Sequence, residues 1–133
     1  MAETMSWQRW LRQGDQYLSS AAPNGKKSKF TSNIRYNLLS MSLESYVMAI
    51  LDFYNTMPAD HTYTDLLDGL ATVLSEDETL KKRLLKYDNL QFICALEKYH
   101  IKQPTELELA DLRNAILQMG ALAHETCASP IAV

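Results

Sequence analysis

The stretch from residue 30 to residue 56 constrains the fold more than any other part of the chain. Apolar side chains recur at helical spacing around most of its circumference. One narrow polar stripe interrupts this pattern at spacings of three and four: Asn33, Asn37, Ser40 and Glu44. A helix that is apolar over most of its surface is usually central in its domain. We therefore expect one long central helix, closed by Pro58.

Shorter helical patterns lie on both sides of this segment. Residues 6 to 21 have helical spacing, and capping signals mark later helix starts. They stand at Thr62-x-x-Asp65, at Ser75-x-x-Glu78 and at Pro104-Thr105-Glu106. The helix that begins near residue 78 is expected to break at residues 88 and 89 and to resume through residues 92 to 99.

The last predicted helix carries an apolar seam close to a heptad repeat and ends near Thr126: Leu109, Leu112, Ile116, Met119 and Ala123. No alternating strand pattern is present in the sequence. The chain has 133 residues with only four Gly and four Pro, which is few for the tight turns of a β fold. We predict an all-α, up-and-down bundle of four to six helices, forming a single domain over residues 1–133 with the last few residues flexible.

Composition and charge narrow the class of protein. Hydrophobic residues make up 47% and charged residues 22%, which is typical of a water-soluble globular domain. A net charge of −3 argues against a general nucleic-acid binder. The sequence shows no secretory signal and no apolar run of about 20 residues, so we expect a cytoplasmic protein with no membrane contact. Cys94 and Cys127 form no CxxC pair, and His124 with Cys127 is too small a set for zinc, so no metal or cofactor is expected.

A family resemblance covers most of the chain. A helix with Trp10-Leu11 and Tyr17-Leu18 is followed by a polar loop and then by the long helix with Arg35-x8-Glu44-x3-Met48-x2-Leu51. Next comes Pro58-x2-His61-Thr62-x2-Asp65-Leu66-x3-Leu70. This order resembles the HEPN superfamily, the small helical domains of prokaryotic nucleotidyltransferase partners and RNase toxins. In that superfamily a similar turn opens the third helix.

The resemblance implies a bundle of four or five helices that commonly dimerises. It also implies that the protein binds a nucleotide or pairs with a nucleotidyltransferase, or that it cleaves RNA through an Arg-polar-x4-6-His motif on the last helix. Arg113-Asn114 matches the opening of that motif, but the histidine would fall at residues 118 to 120, where none stands. His124 is eleven residues from Arg113. The two share a helix face, and their separation predicts that they cannot act on one scissile phosphate within a protomer.

Five residues are candidates for ligand binding, each with an alternative structural role: Arg35, Glu44, His61, Arg113 and Asn114. His61 either holds an anion near helix amides or caps a turn. Glu44 either shares a polar pocket with Asn37, Ser40 and Arg35 or lies on a wetted helix edge. Arg113 either contacts phosphate or pairs with Glu106, Glu108 or Asp111.

A basic patch is the second candidate surface: Lys81, Lys82, Arg83 and Lys86. It is either a phosphate-binding or nucleic-acid-binding face or a solvated helix face balanced by the acidic residues 76 to 78. The favoured interpretation of the whole chain is a non-catalytic, HEPN-like, homodimeric binding module for a nucleotide or phosphate ligand. The alternatives are a toxin-type RNase with a displaced or dimer-shared site, and a structural or regulatory protein without a small ligand.

Overall fold

A computed structural model shows how the predicted helices assemble. The structure describes residues 6–21, 32–58, 60, 62–74, 77–87 and 104–128. In chain order its helices are α1 (Ser6–Ser20), α2 (Ser32–Phe53), α3 (Tyr63–Ala71), α4 (Glu78–Leu85) and α5 (Glu106–Ala128). No described residue lies in a strand, which confirms the prediction of a small all-α helical bundle. Among these five helices, none has the length and apolarity that a membrane crossing requires.

Local capping bonds confirm two of the predicted helix starts. The Oγ1 of Thr62 accepts a hydrogen bond from the backbone N–H of Asp65 at 3.1 Å and so caps α3. At the start of α5, Thr105 and Glu108 exchange bonds. The N–H of Glu108 donates to Thr105 Oγ1, and the N–H of Thr105 donates to Glu108 Oε1. This reciprocal pair is a capping box, and it lies at the helix start predicted after Pro104.

The start of α4 differs in detail from the prediction. Asp77 is its N-cap, and its Oδ1 accepts from the N–H of Leu80 at 3.0 Å. The predicted cap Ser75 lies outside the described residues, and so does the helix predicted over residues 92 to 99.

Helix α2 is the centre of the bundle, as predicted. It packs against α1, α3 and α5. Every residue from 45 to 51 is buried, so the helix is enclosed on all sides at that level. The seam predicted on α5 is buried as well and belongs to the same hydrophobic core. The core therefore extends along α2 from Tyr36 to Leu51.

The C-terminus of α2 is closed by a left-handed residue rather than by Pro58. Asn55 has a φ of 56°. Its N–H donates to the carbonyl of Asp52, and the N–H of Thr56 donates to the carbonyl of Leu51 at 2.8 Å. These two bonds are those of a Schellman motif, in which asparagine is the most common substitute for glycine. The helix therefore ends three residues earlier than the sequence pattern suggested.

Candidate functional site

A polar groove lies between α1 and α5, with α2 as its floor. Its volume is about 290 Å³. The polar groups that line it are Asp15 and Ser19 from α1, Tyr46 from α2, and Arg113 and His124 from α5. On the α5 side the groove is lined by the small residues Gly120 and Ala121 and by the exposed Leu117. We call this cavity the α1–α5 groove.

Three side chains from three helices meet at one end of this groove. The Tyr46 hydroxyl donates to Asp15 Oδ1 at 2.6 Å. The Nε2 of His124 lies 2.9 Å from Asp15 Oδ1 and 3.0 Å from Oδ2. The Asp15 and His124 side chains are both about half exposed, whereas Tyr46 is buried. The carboxylate is thus held from the protein side by the tyrosine and from the solvent side by the histidine.

Two glycines allow Tyr46 to reach Asp15. A Cβ atom at Gly14 would lie 2.6 Å from two carbons of the Tyr46 ring, and one at Gly120 would lie 2.8 Å from its Cζ. Any larger residue at either position would collide with the ring, because carbon atoms in contact are about 3.5–4.0 Å apart. The ring therefore passes between α1 and α5 at the places where each helix lacks a side chain.

The surroundings of Tyr46 keep its hydroxyl protonated. Burial of the ring, followed by the hydrogen bond and negative charge of Asp15, raises the pKa of this hydroxyl above its usual value of 10.0. A protonated phenol is a hydrogen-bond donor to Asp15 at every physiological pH. Asp15 is thereby oriented as a fixed acceptor at the mouth of the groove.

A second cavity adjoins the groove and contains three of the five predicted site residues. It has a volume of about 140 Å³ and is lined by Arg35 from α2 and by Arg113, Asn114 and Glu106 from α5. We call it the arginine cavity. Arg113 lines both the arginine cavity and the α1–α5 groove, so it stands between them. The structure thus brings Arg35, Arg113 and Asn114 together, although α2 and α5 are far apart in the sequence.

Arg113 is not neutralised by the carboxylates that were its alternative partners. Glu106 pairs with Arg35, Glu108 caps the N–H of Thr105, and Asp111 bonds to residues of α4. Among the residues that the structure describes, the buried Nε of Arg113 has no hydrogen-bond partner. A buried donor without a partner costs roughly 1–3 kcal/mol of stability.

Arg35 is buried but holds an exposed partner. Its Nη1 lies 2.8 Å from Oε1 and 2.9 Å from Oε2 of Glu106. The Arg35 side chain is 7% exposed, whereas that of Glu106 is 72% exposed. In the described part of the chain, the Nε of Arg35 is buried without a partner, like that of Arg113. The exposed carboxylate of Glu106 therefore contacts one Nη atom of a buried guanidinium.

Of the two remaining predicted ligand-binding residues, the structure describes only Glu44. Glu44 is half-buried on α2 and is not among the residues that line the arginine cavity. Ser40, which was expected to share a polar pocket with Glu44, bonds to the Tyr63 hydroxyl at 2.7 Å. His61 lies outside the described residues.

The predicted basic patch is largely engaged in intramolecular bonds. Lys81 pairs with Asp68, while Arg83 and Lys86 both approach Asp111, at 3.2 and 3.8 Å. The Tyr87 hydroxyl also donates to Asp111 at 2.6 Å, and these bonds hold the pKa of Asp111 below its usual value. Lys82 is exposed. Arg83 and Lys86 therefore connect this region to α5, and Lys81 connects it to α3.

His124 and Cys127 do not converge on a common ligand. His124 turns towards Asp15, whereas the buried Cys127 Sγ lies 3.7 Å from the carbonyl oxygen of Ala49. Burial raises the pKa of the Cys127 thiol to about 11. Among the residues that the structure describes, no three His, Cys, Asp or Glu side chains cluster as metal ligands would.

Asp15 and Tyr46 are the site residues that sequence reasoning missed. Asp15 looked like one polar residue on the solvated face of α1, and Tyr46 looked like core. The available signal was a pair of glycines inside helices, Gly14 and Gly120, since glycine in a helix interior is unfavourable by about 1 kcal/mol relative to alanine. Such a residue indicates that another side chain needs the space.

The chain has no match among the protein-family models, the curated proteins or the solved structures with which it was compared. Membership of the HEPN superfamily therefore stays a prediction from sequence motifs. The homodimer and the nucleotidyltransferase partner stay predictions with it.

Proposed function

We propose that this chain is a HEPN-like binding module that holds a phosphate-bearing ligand, such as a nucleotide, in the arginine cavity. The supporting observation is that two guanidinium groups, those of Arg35 and Arg113, line one small cavity together with Asn114. Guanidinium groups match the tetrahedral oxygens of phosphate with paired N–H donors. The amide of Asn114 adds a neutral donor.

The size and charge of the cavity favour a phosphate over a larger anion. A volume of about 140 Å³ admits one phosphate group, and the rest of the ligand would extend into the adjoining groove. Among the described residues that line the cavity, only Glu106 bears a carboxylate. Because the Glu106 side chain is mostly exposed, an incoming anion can replace its carboxylate at Arg35 without disturbing the core.

Isothermal titration calorimetry of the full chain with inorganic phosphate, AMP and GMP tests this proposal. We expect at least one of them to bind, and saturation at 100 times its Kd adds about 2.7 kcal/mol of stability. Arg113→Gln and Arg35→Gln should each weaken binding about tenfold or more, because hydrogen bonds to charged groups contribute roughly 1.5–3 kcal/mol. Thermal unfolding of both variants checks that they retain the bundle.

Arg12→Gln is the matched control. Arg12 is an exposed arginine of α1 that lines neither cavity, so the same charge change there should leave affinity unchanged. If no phosphate compound binds, or if Arg113→Gln binds as well as the parent protein, the arginine cavity is not a phosphate site.

One observation favours RNase activity as a second candidate function. Asp15 orients His124. Because His124 lies about 16 Å from Arg113 along α5, cleavage would need a dimer-shared site, with Arg113 of one protomer and His124 of the other. A histidine oriented by a carboxylate is a standard general acid or base. If this candidate is right, Arg113→Ala and His124→Ala each abolish cleavage of a short RNA. Cleavage that is unchanged in both variants excludes this mechanism.

A further inference from the structure

The α1–α5 groove has opposite charge character at its two ends. Arg113 forms one end, where it also faces the arginine cavity. The Asp15 carboxylate, held by Tyr46 and His124, forms the other end. A ligand that fills the groove must place an anion at Arg113 and hydrogen-bond donors at Asp15, because a second phosphate at Asp15 would meet a like charge.

The length of the groove decides which part of a nucleotide reaches Asp15. Arg113 and His124 are eleven residues apart on α5, so their Cα atoms are about 16 Å apart along the helix. Because Asp15 contacts His124, a phosphate bound at Arg113 is roughly one nucleotide length from the carboxylate. The sugar adjoins the phosphate, so the group at Asp15 is the far edge of the base.

Asp15 presents acceptors to that edge. A carboxylate has about four acceptor positions, and Tyr46 occupies one of them from the buried side. From the solvent side, Nε2 of His124 contacts both carboxylate oxygens, and the His124 side chain is 51% exposed. A planar base edge with two adjacent donors replaces the histidine there, whereas the buried tyrosine stays in place. Of the common purines, guanine alone offers such a pair, its ring N1–H and its 2-amino group.

The walls of the groove suit a flat ring. Gly120 and Ala121 leave room beside α5, and the exposed Leu117 supplies an apolar surface between the two charged ends. The imidazole of His124, once released from the carboxylate, provides a face on which a base stacks.

From the charge, length and acceptor pattern of the groove, we propose that it binds a guanine nucleotide, with its phosphate at Arg113 and the guanine edge on the Asp15 carboxylate. This inference rests on the proposed phosphate-binding function and specifies the ligand class. It assigns Asp15 as the specificity-determining residue, Tyr46 as the residue that positions it, and His124 as the group that the base displaces.

Calorimetry of the full chain with GMP, IMP and AMP tests the inference without any mutation. IMP lacks the 2-amino group, and AMP also lacks the N1–H. We expect GMP to bind about tenfold or more tightly than IMP, and AMP to be the weakest of the three, because each lost bond involves a charged acceptor. Equal affinity for the three nucleotides overturns the guanine assignment and leaves the phosphate site standing. No binding of any nucleotide or of inorganic phosphate overturns both proposals.

Substitutions at each end of the groove test the contribution of that end to binding separately. Asp15→Asn should remove most of the preference for GMP over IMP, whereas Arg113→Gln should weaken all three nucleotides by a similar factor. His124→Gln should retain GMP binding, since the base replaces this side chain. The matched control is Asp68→Asn, which removes an exposed carboxylate of α3 outside both cavities. A GMP preference that survives Asp15→Asn, or that Asp68→Asn also removes, contradicts the assignment of Asp15.

Discussion

The fit of Tyr46 against Gly14 predicts an unusual response to a glycine-to-alanine substitution. Gly14 lies inside α1, where alanine is normally better than glycine by about 1 kcal/mol. A Cβ atom at Gly14 would, however, lie 2.6 Å from two ring carbons of Tyr46. The ring is 2% exposed and its hydroxyl is bonded to Asp15, so it has no free space into which to move.

The magnitude follows from these opposing effects. Relief of the overlap requires a shift of about 1 Å, since carbon atoms in contact are about 3.5–4.0 Å apart. Overpacking of this kind costs about 1–3 kcal/mol. After the gain in helix propensity is subtracted, Gly14→Ala should lower the free energy of unfolding by roughly 0–2 kcal/mol.

Gly69→Ala in α3 is the internal reference for this experiment. A Cβ atom there meets Leu51 and Pro58 only at ordinary contact distances, starting at 3.5 Å. This variant should gain up to about 1 kcal/mol, so the two alanine variants should differ by about 1–3 kcal/mol. Urea unfolding followed by circular dichroism measures both values.

The same substitution in a Tyr46→Ala protein tests whether the ring is the cause. In a Tyr46→Ala protein the obstructing ring is gone, so adding Gly14→Ala should now stabilise the bundle instead of destabilising it. If Gly14→Ala stabilises the parent protein as much as Gly69→Ala does, Tyr46 is not confined between the helices. The proposed orientation of Asp15 would then lose its support.

Three further predictions concern titrating groups. The pKa of Tyr46 is raised in the folded protein, so the stability that its protonated hydroxyl contributes is complete below pH 10.0 and is lost as the pH rises above that value. In urea unfolding, Tyr46→Phe should therefore lose less of its free energy of unfolding at alkaline pH than the parent protein does. The pKa of Asp111 is lowered in the folded protein, so the stability that its carboxylate contributes is present above pH 3.8 and disappears as the pH falls through the lowered pKa. The difference in free energy of unfolding between the parent protein and Asp111→Asn should therefore become smaller in acid. Cys127, buried and with a pKa of about 11, should resist alkylation at pH 8 in the native protein and react after unfolding in urea, as mass spectrometry would show.

Local sequence signals predicted most of the helical framework. The Thr62 cap and the Thr105–Glu108 capping box each involve residues three apart, so the sequence contains everything that forms them. The central position of α2 follows from its apolar circumference in the same way. The exact end of α2 was not predictable from Pro58, because the chain turns at Asn55 through a left-handed backbone conformation before it reaches the proline.

The candidate site was only half predictable, because it depends on contacts between distant residues. Arg35 and Arg113 were singled out through motifs of the family resemblance, but Glu106 joins Arg35 across 71 residues. Asp15 meets Tyr46 across 31 residues and His124 across 109, and nothing near Asp15 in the sequence distinguishes it from other surface acids. The basic residues of α4 were visible as a cluster, yet Asp111, which pairs with two of them, lies on another helix.

Tyr46 also ties the evolution of the groove to the packing of the bundle. Its ring is at once a wall of the groove and the filling between Gly14 and Gly120. A descendant that lost this tyrosine would keep its stability only by gaining side chains at both glycines, so the three positions should change together across relatives. Ligand preference can change more freely by substitution of Ser19 and Leu117, because these exposed residues line the groove and their replacement leaves the interior intact.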